Sequence, residues 1–329
     1  MEYILNKTPL RTSNNFKIND FKIDLDIKET KFNDYKCNVE TKTSIKDNLE
    51  SKIGLPSNKY FNVDVKSDKE NILIEYDFDK NNYLASQINI DINDNNNYII
   101  IFRSKTESLL NTKVVINSNK DTISNISIIN LLSNDSRSFI SIENNSDTNS
   151  KTTVNYVELG GKLKVSNYYS MLNGEGSENY FNALYLGSEE DKIDMNYYLG
   201  NNNKNTIGNI NVVGSLSGDS YKSFKGTIDF YEGSSKSVGE ENENCILLSD
   251  TATSRSLPML LCHEEDVVGA HGVSTGKIDE EKLFYLMSRG IEEKDAKRLI
   301  INANYNTVID NIPDENTKDL LRRVINERI

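Results

Sequence analysis

Tryptophan is absent from the 329 residues, proline occurs only four times, cysteine three times and histidine twice. Each shortage excludes something. The cysteines, Cys37, Cys245 and Cys262, are odd in number and form no Cys-x-x-Cys pair, which argues against a disulfide framework and against a closed four-cysteine metal site. Reduced thiols are the expected state. With only His263 and His271 as imidazoles, hydrolytic catalysis has little to work with; Gly-Ser-Leu-Ser-Gly at 214–218 has the letters of a nucleophile elbow but lacks the strand-to-helix setting that gives it meaning. Basic residues are also in deficit, 38 Lys and Arg against 50 Asp and Glu, for a net charge of -12 and a pI near 4.9. A chain so acidic has no basic footprint for a phosphate backbone, so nucleic acid is not an expected partner. No apolar run approaches the roughly 18 residues of a membrane helix, and the first twenty residues lack the basic start, apolar stretch and small-residue cleavage site of a leader. A cytoplasmic chain without membrane association is expected.

What the chain has in abundance is Asn, Asp, Ser, Ile and Lys, with apolar residues recurring at a clear period. From about residue 60 to 250 short alternating runs follow one another, among them Ile72 to Tyr76, Ile88 to Ile92, Tyr98 to Phe102, Ile123 to Ile129, Tyr180 to Tyr185 and Thr227 to Phe230. Alternation of this kind marks half-buried strands, and the Asn-, Asp-, Ser- and Gly-rich breaks between them are turn chemistry. A sandwich, a barrel or a β-solenoid would all give this texture. The near absence of helical signal over so long a stretch, and turns rich in Asn throughout, favour the solenoid. Before it, Phe21 to Ile27 reads as a short strand and residues 48–58 as one helical turn.

After Lys277 the period changes. Asp279 is a good N-cap, Glu280 and Glu281 place negative charge in the first turn, and Leu283, Phe284, Leu286 and Met287 recur at helical spacing. Arg289 and Gly290 close the helix. A second helix is expected from Glu292 with Ala296, Leu299, Ile300 and Ala303 as its apolar stripe, and a third from about Asp314 to Ile329 through Leu320, Leu321, Val324 and Ile325. This gives a short N-terminal segment (1–58), a β-helix core (59–276) and a C-terminal helical domain (277–329) that caps the core.

One stretch concentrates chemistry. Cys245, Cys262, His263, Glu264, Glu265, Asp266 and His271 lie within 27 positions, a set of thiols, imidazoles and carboxylates that suits iron or zinc. His271 sits in Gly-Ala-His-Gly (269–272), which reads as a turn. The competing reading is structural: Cys245 and Cys262 occupy apolar runs where a free thiol commonly packs as a small hydrophobe, and Glu264 to Asp266 form a solvated turn.

Phe224 to Ile228 (FKGTI), Cys245 to Asp250 (CILLSD), Pro258, Asp266-Val267, His271-Gly272 and above all Ile278 to Ile291 (IDEEKLFYLMSRGI) resemble the SufB/SufD family of iron-sulfur cluster assembly proteins; Leu5 to Thr12 is similar to the family's opening. The resemblance implies a right-handed parallel β-helix whose helical end binds a SufC-type ABC ATPase, with two such chains paired, as a SufB-type and SufD-type couple or as a dimer of one chain. It implies a scaffold without catalysis of its own, the ATPase activity residing in the partner, and a nascent cluster held transiently at the subunit interface rather than a permanently bound cofactor. His271, followed by glycine, matches the ligand histidine of the SufD branch; the cysteine two residues before it in that branch is Gly269 here. Glu243 falls on the scaffold cysteine of the SufB branch, Cys245 lies two positions further on the same strand face, and Cys262 falls on a cysteine found in SufB-like members. Asp279, Leu283, Phe284, Tyr285, Arg289, Gly290 and Ile291 match the phrase expected to dock the ATPase. Two alternatives stand beside the SufD-like scaffold: a SufB-like chain that holds the cluster with its own thiols, and a β-helix carbohydrate-active enzyme, which would need carboxylates converging in a groove.

Overall fold

The computed structural model describes residues 2–9, 21–25, 35–66, 69–77 and 83–329. The expected strand Phe21 to Ile27 and the family-like opening Leu5 to Thr12 both run partly outside these residues. In chain order the described strands are β1 (Glu2–Ile4), β2 (Lys22–Asp24), β3 (Tyr35–Cys37), β4 (Thr41–Leu49), β5 (Ser57–Val65), β6 (Asn71–Asp77), β7 (Tyr83–Ile92), β8 (Asn96–Arg103), β9 (Leu109–Ser118) and β10 (Ile123–Leu131). They continue with β11 (Arg137–Ser146), β12 (Lys151–Glu158), β13 (Leu163–Leu172), β14 (Glu178–Gly187), β15 (Lys192–Asn201), β16 (Ile207–Leu216), β17 (Tyr221–Phe230), β18 (Val238–Leu247), β19 (Thr253–Cys262) and β20 (Val268–Lys277). Three helices follow, α1 (Glu280–Ser288), α2 (Glu293–Ile309) and α3 (Glu315–Arg328).

β1 and β2 form a small sheet of their own, and from β5 onward successive strands alternate between two nine-stranded sheets, the even-numbered one ordered β20-β18-β16-β14-β12-β10-β8-β6-β3 and the odd-numbered one β19-β17-β15-β13-β11-β9-β7-β5-β4. From β5 onward each strand pairs in parallel with the strand two places along; among the described strands the β1–β2, β3–β6 and β4–β5 pairs at the start are antiparallel. The result is a β-solenoid of about 8 turns. Its repeat is irregular: Ile123 pairs with Lys151, Lys151 with Glu178, Glu178 with Ile207 and Ile207 with Val238. These are steps of 28, 27, 29 and 31 residues.

Two properties of the sequence produce this architecture. Alternation puts every second side chain inside, where Ile88, Ile90, Val114, Ile116, Tyr156, Tyr168, Phe181 and Tyr197 join one continuous core. Between strands, Asp121, Asn149 and Asn205 adopt left-handed backbone (φ +59°, +53° and +60°), which Asn and Asp tolerate better than other L-residues. Asn and Asp side chains then stack from coil to coil: Asn149 donates to Asp121 Oδ1 at 3.0 Å, Asn119 to Asn93 Oδ1 at 2.8 Å and Asn117 to Asp91 Oδ1 at 2.9 Å. The predicted helical turn at 48–58 is absent, because Thr41–Leu49 and Ser57–Val65 form an antiparallel pair joined through a turn with Gly54 at φ +87°.

Both outer faces are partly covered. Leu5, Leu25, Ile53 and Leu55 lie on Phe139 and Val165 of the odd-numbered sheet. Ile301, Tyr305, Val308, Ile309, Leu321 and Ile325 lie on Ile129, Val157, Leu184 and Val213 of the even-numbered sheet. The helical segment therefore covers a flank of the solenoid, and among the described residues the end formed by β19 and β20 is left uncovered. This also rotates α2 from its predicted stripe: Ala296 is buried, but Leu299, Ile300 and Ala303 are not, and Ile301, Tyr305, Val308 and Ile309 take their place. Along α3 it is Leu321 and Ile325 that are buried, while Leu320 and Val324 are half-buried. No described helix is long and apolar enough to cross a membrane.

Candidate functional site at the open end of the solenoid

The last strands, β19 and β20, terminate their sheets, so each leaves one row of backbone donors and acceptors without a strand partner among the described residues. Val268 and Val273 of β20 are 64% and 39% exposed. An uncovered pair of ten-residue strand edges is a ready surface for another chain.

His271 lies in the middle of β20, not in a turn. Its Cα partner on β18 is Glu241, and Val273 and Thr275 pair with Glu243 and Cys245. The glycines misled the sequence reading. Gly208, Gly239 and Gly269 form one file across three strands, and a Cβ on them would meet Leu199 at 2.1 Å, Ile228 at 2.5 Å and Leu260 at 3.0 Å. They are glycine because large side chains of the opposite sheet crowd them.

On β18 Gly239, Glu241, Glu243 and Cys245 are buried while Glu240, Asn242 and Asn244 are exposed. Glu243 and Cys245 thus share the inward face, as their spacing requires. Glu243 makes a salt bridge with Lys222 in which both side chains are fully closed to solvent; it also accepts from Tyr185 Oη at 3.2 Å and Ser256 Oγ at 2.5 Å. Lys222 in turn donates to Ser256 Oγ at 2.8 Å. A buried charge pair persists only where its remaining hydrogen-bonding capacity is met, and Tyr185 and Ser256 meet it here. Burial pushes the Cys245 thiol above its ordinary value, against the pull of the Lys222 ammonium, so the thiol rather than the thiolate is the resting form.

Glu241 is the anomaly. It is fully buried, lies against Gly226 so closely that a Cβ there would be 2.0 Å from its Oε1, and neither carboxylate oxygen finds a hydrogen-bond partner among the described residues. Burial first, and the neighbouring Glu243 second, push it up to about 8.

Cys262 stands apart. It is exposed at the end of β19, six residues from Ser256, or about 20 Å at the rise of a strand. Among the described residues no three His, Cys, Asp or Glu side chains converge as a metal site. The chain gathers Glu243 and Cys245 inside with His271 on the adjoining edge strand, and leaves Cys262 at the other end of β19. Lys222, Tyr185, Ser256 and Glu241 escaped the sequence reading. Lys222 was recoverable, since alternation from Phe224 places it inward; Ser256 and Tyr185 belong to strands whose register the sequence does not state.

Only Ile278 and Asp279 separate β20 from α1. Asp279 caps the helix, accepting from the amides of Glu281 and Lys282 at 3.0 and 3.1 Å. Arg289 ends it with its guanidinium 5.3 Å from the centre of the Tyr285 ring, and Gly290 follows at φ +86°. Not one residue of α1 is buried. Leu283, Leu286 and Ile291 are half-buried, whereas Phe284, Tyr285 and Met287 are 73%, 57% and 42% exposed. Beside the helix runs a groove of about 960 Å³ lined by Ile246, Ile278, Tyr285, Leu286, Leu299 and Ala303.

Residues 77–304 match the family model described as SUF system FeS cluster assembly, SufBD core domain. The iron-sulfur cluster assembly protein SufD of Escherichia coli is 30% identical over 172 residues, 52% of this chain and 40% of that protein. The protein of the same name from Bacillus subtilis is 29% identical over 165 residues, 50% of this chain and 38% of that one. A SufBD family assembly protein of Galdieria sulphuraria is 25% identical over 170 residues, 52% of this chain and 77% of the relative. The chain thus spans about two fifths of the length of the two SufD proteins. The match runs through the solenoid from β7 into α2, and takes in β18, β20 and α1, where the buried Glu243, the edge histidine and the exposed helix lie: the chain belongs to the SufBD core family of iron-sulfur cluster assembly proteins.

Proposed function

We propose that this chain is a SufD-like subunit of an iron-sulfur assembly scaffold, pairing with a SufB-type chain through the open edges of β19 and β20 and docking a SufC-type ATPase on α1. The observation that carries the reading is the state of α1. A helix with no fully buried residue, which exposes Phe284, Tyr285 and Met287 and flanks an apolar groove, is an incomplete interface. The cluster is the cargo, not a resident group. In this reading His271 supplies a ligand from the edge strand, and Glu243 and Cys245 stand on the strand behind it, with Cys262 outside the set. The short β20–α1 junction would transmit movement of the docked ATPase to the strand that bears His271. ATP hydrolysis belongs to that partner, and the chain itself acts in the cytoplasm as a non-catalytic subunit.

The test is capture by a tagged SufC-type ATPase. Deleting residues 278–329 would strip α2 and α3 from the even-numbered sheet along with α1, so the informative variant is Phe284→Asp, on an exposed position. Capture of the wild type and loss with Phe284→Asp at an unchanged melting temperature supports the reading; equal capture of both, or of neither, counts against it.

A further inference from the structure

A separate cluster lies on the outer face of the odd-numbered sheet. Tyr169 of β13 and Tyr198 of β15 are Cα partners, and their rings stack with centroids 4.8 Å apart and planes at 8°. The Lys52 ammonium sits 4.3 Å from the centre of the Tyr169 ring. Tyr198 Oη donates to Asp229 Oδ2 at 2.7 Å and lies 2.7 Å from Tyr231 Oη; with its own proton engaged, it accepts the proton of Tyr231. Asp229 is 6% exposed, and its other oxygen, Oδ1, has no hydrogen-bond partner among the described residues and faces His263 Nε2 at 3.8 Å.

A phenol surrenders an electron readily only if its proton leaves as well, so a base already hydrogen-bonded to the hydroxyl decides which tyrosine reacts. Asp229 is such a base for Tyr198. Electrostatics separates the two stacked rings: the cation over Tyr169 opposes positive charge there, and the carboxylate beside Tyr198 favours it. Burial, then the bonds to Tyr231 and Asp229, hold the Tyr198 hydroxyl far above the ordinary phenol range, so at neutral pH it is a phenol with a proton to give.

We propose that Tyr198 is a redox site, the phenol that a one-electron oxidant of the radical class converts to a neutral phenoxyl radical, with Asp229 as proton acceptor. In that step one electron passes from Tyr198 to the oxidant, which is reduced by one electron. The O–H bond of Tyr198 breaks and an O–H bond forms on Asp229 Oδ2, leaving a neutral carboxylic acid. Tyr231 keeps its hydrogen bond to the radical oxygen and stabilises it. The inference stands apart from the scaffold reading and uses none of its residues.

The experiment oxidises the full chain with ruthenium(III) tris-bipyridine generated by a laser flash, and reads the tyrosyl radical by electron paramagnetic resonance and its formation rate by absorbance. Tyr198→Phe should remove most of the radical signal, while Tyr169→Phe leaves it in place. Asp229→Asn should slow formation by about tenfold or more, and heavy water should slow the wild type but not Asp229→Asn. Undiminished radical yield in Tyr198→Phe, or an unchanged rate and isotope effect in Asp229→Asn, overturns the proposal. If Tyr198→Phe shifts the circular-dichroism melt, the isotope effect decides alone: its loss in Asp229→Asn supports the assignment and its retention refutes it.

Discussion

Replacing Glu241 by Gln should make the protein more stable, and only above the pH at which carboxyls ordinarily ionise. Native Glu241 is enclosed without a hydrogen-bond partner among the described residues and pushed up to about 8 from 4.5, by burial first and by Glu243 second. The folded chain therefore keeps a proton that the unfolded chain releases, and stability must fall as pH rises from about 4.5 through about 8, then level off. At about 1.4 kcal/mol per pH unit, an interval from 4.5 to about 8 sets a ceiling on the order of 5 kcal/mol. Gln has the shape of the protonated acid and cannot ionise, so the variant lacks this loss. Glu158, also pushed up to about 8 by burial, lowers both proteins alike and cancels in the difference. Thermal melts of wild type and Glu241→Gln from pH 5 to 9 should nearly coincide at pH 5 and diverge to a plateau above 8. Because coils of a solenoid hold mainly to their neighbours, amide exchange in 238–277 should show the gain first. Parallel stability curves across the range would refute the argument.

Three further perturbations probe the packing. Lys225→Met leaves Asp194, which Lys225 contacts at 2.8 and 3.0 Å in full burial, with an unpaired charge; a loss of about 3–5 kcal/mol in chemical denaturation is expected, largely recovered in the Lys225→Met/Asp194→Leu double variant. Gly214→Ala drives a Cβ to 2.3 Å from the Tyr185 ring, so it should cost about 1–3 kcal/mol through overpacking, with a tyrosine absorbance change as Tyr185 moves from Glu243. Leu321→Ala empties a fully buried contact between α3 and the even-numbered sheet; a loss of about 2–5 kcal/mol and faster amide exchange in α2 and α3 than in the solenoid are expected.

The solenoid was legible because inward residues recur every second position and Asn marks the turns, two local signals that survive without knowledge of register. Position along the coil was not, since steps of 25 to 32 residues between paired strands erase any fixed repeat. His271 shows the cost. Gly269 and Gly272 beside it carry the letters of a turn, and only the opposed Leu260 reveals that Gly269 is glycine to make room. The cap of α1 at Asp279 and its end at Gly290 were readable for the opposite reason: a capping residue and a left-handed glycine act within one turn of the helix. The buried face of α2 was not, because it depends on the sheet it meets, and Tyr305 reaching Ser215 across 90 residues leaves no trace in local spacing. Likewise the family phrase pointed to Glu243 and Cys245 as neighbours on one face, but the Lys222 ammonium that holds Glu243 belongs to the other sheet.

In the proposed function this chain supplies a ligand to a shared cluster and does not hold one alone. That claim is tested most directly by anaerobic iron and sulfide reconstitution, read by visible absorbance, of wild type, His271→Ala, Cys245→Ala and Cys262→Ala, each alone and mixed with a SufB-type chain. Little cluster is expected in any single chain, a cluster in the wild-type mixture, and its loss in the His271→Ala mixture while the two chains still co-elute. A stable cluster on the wild-type chain alone that disappears with Cys245→Ala or Cys262→Ala would contradict it.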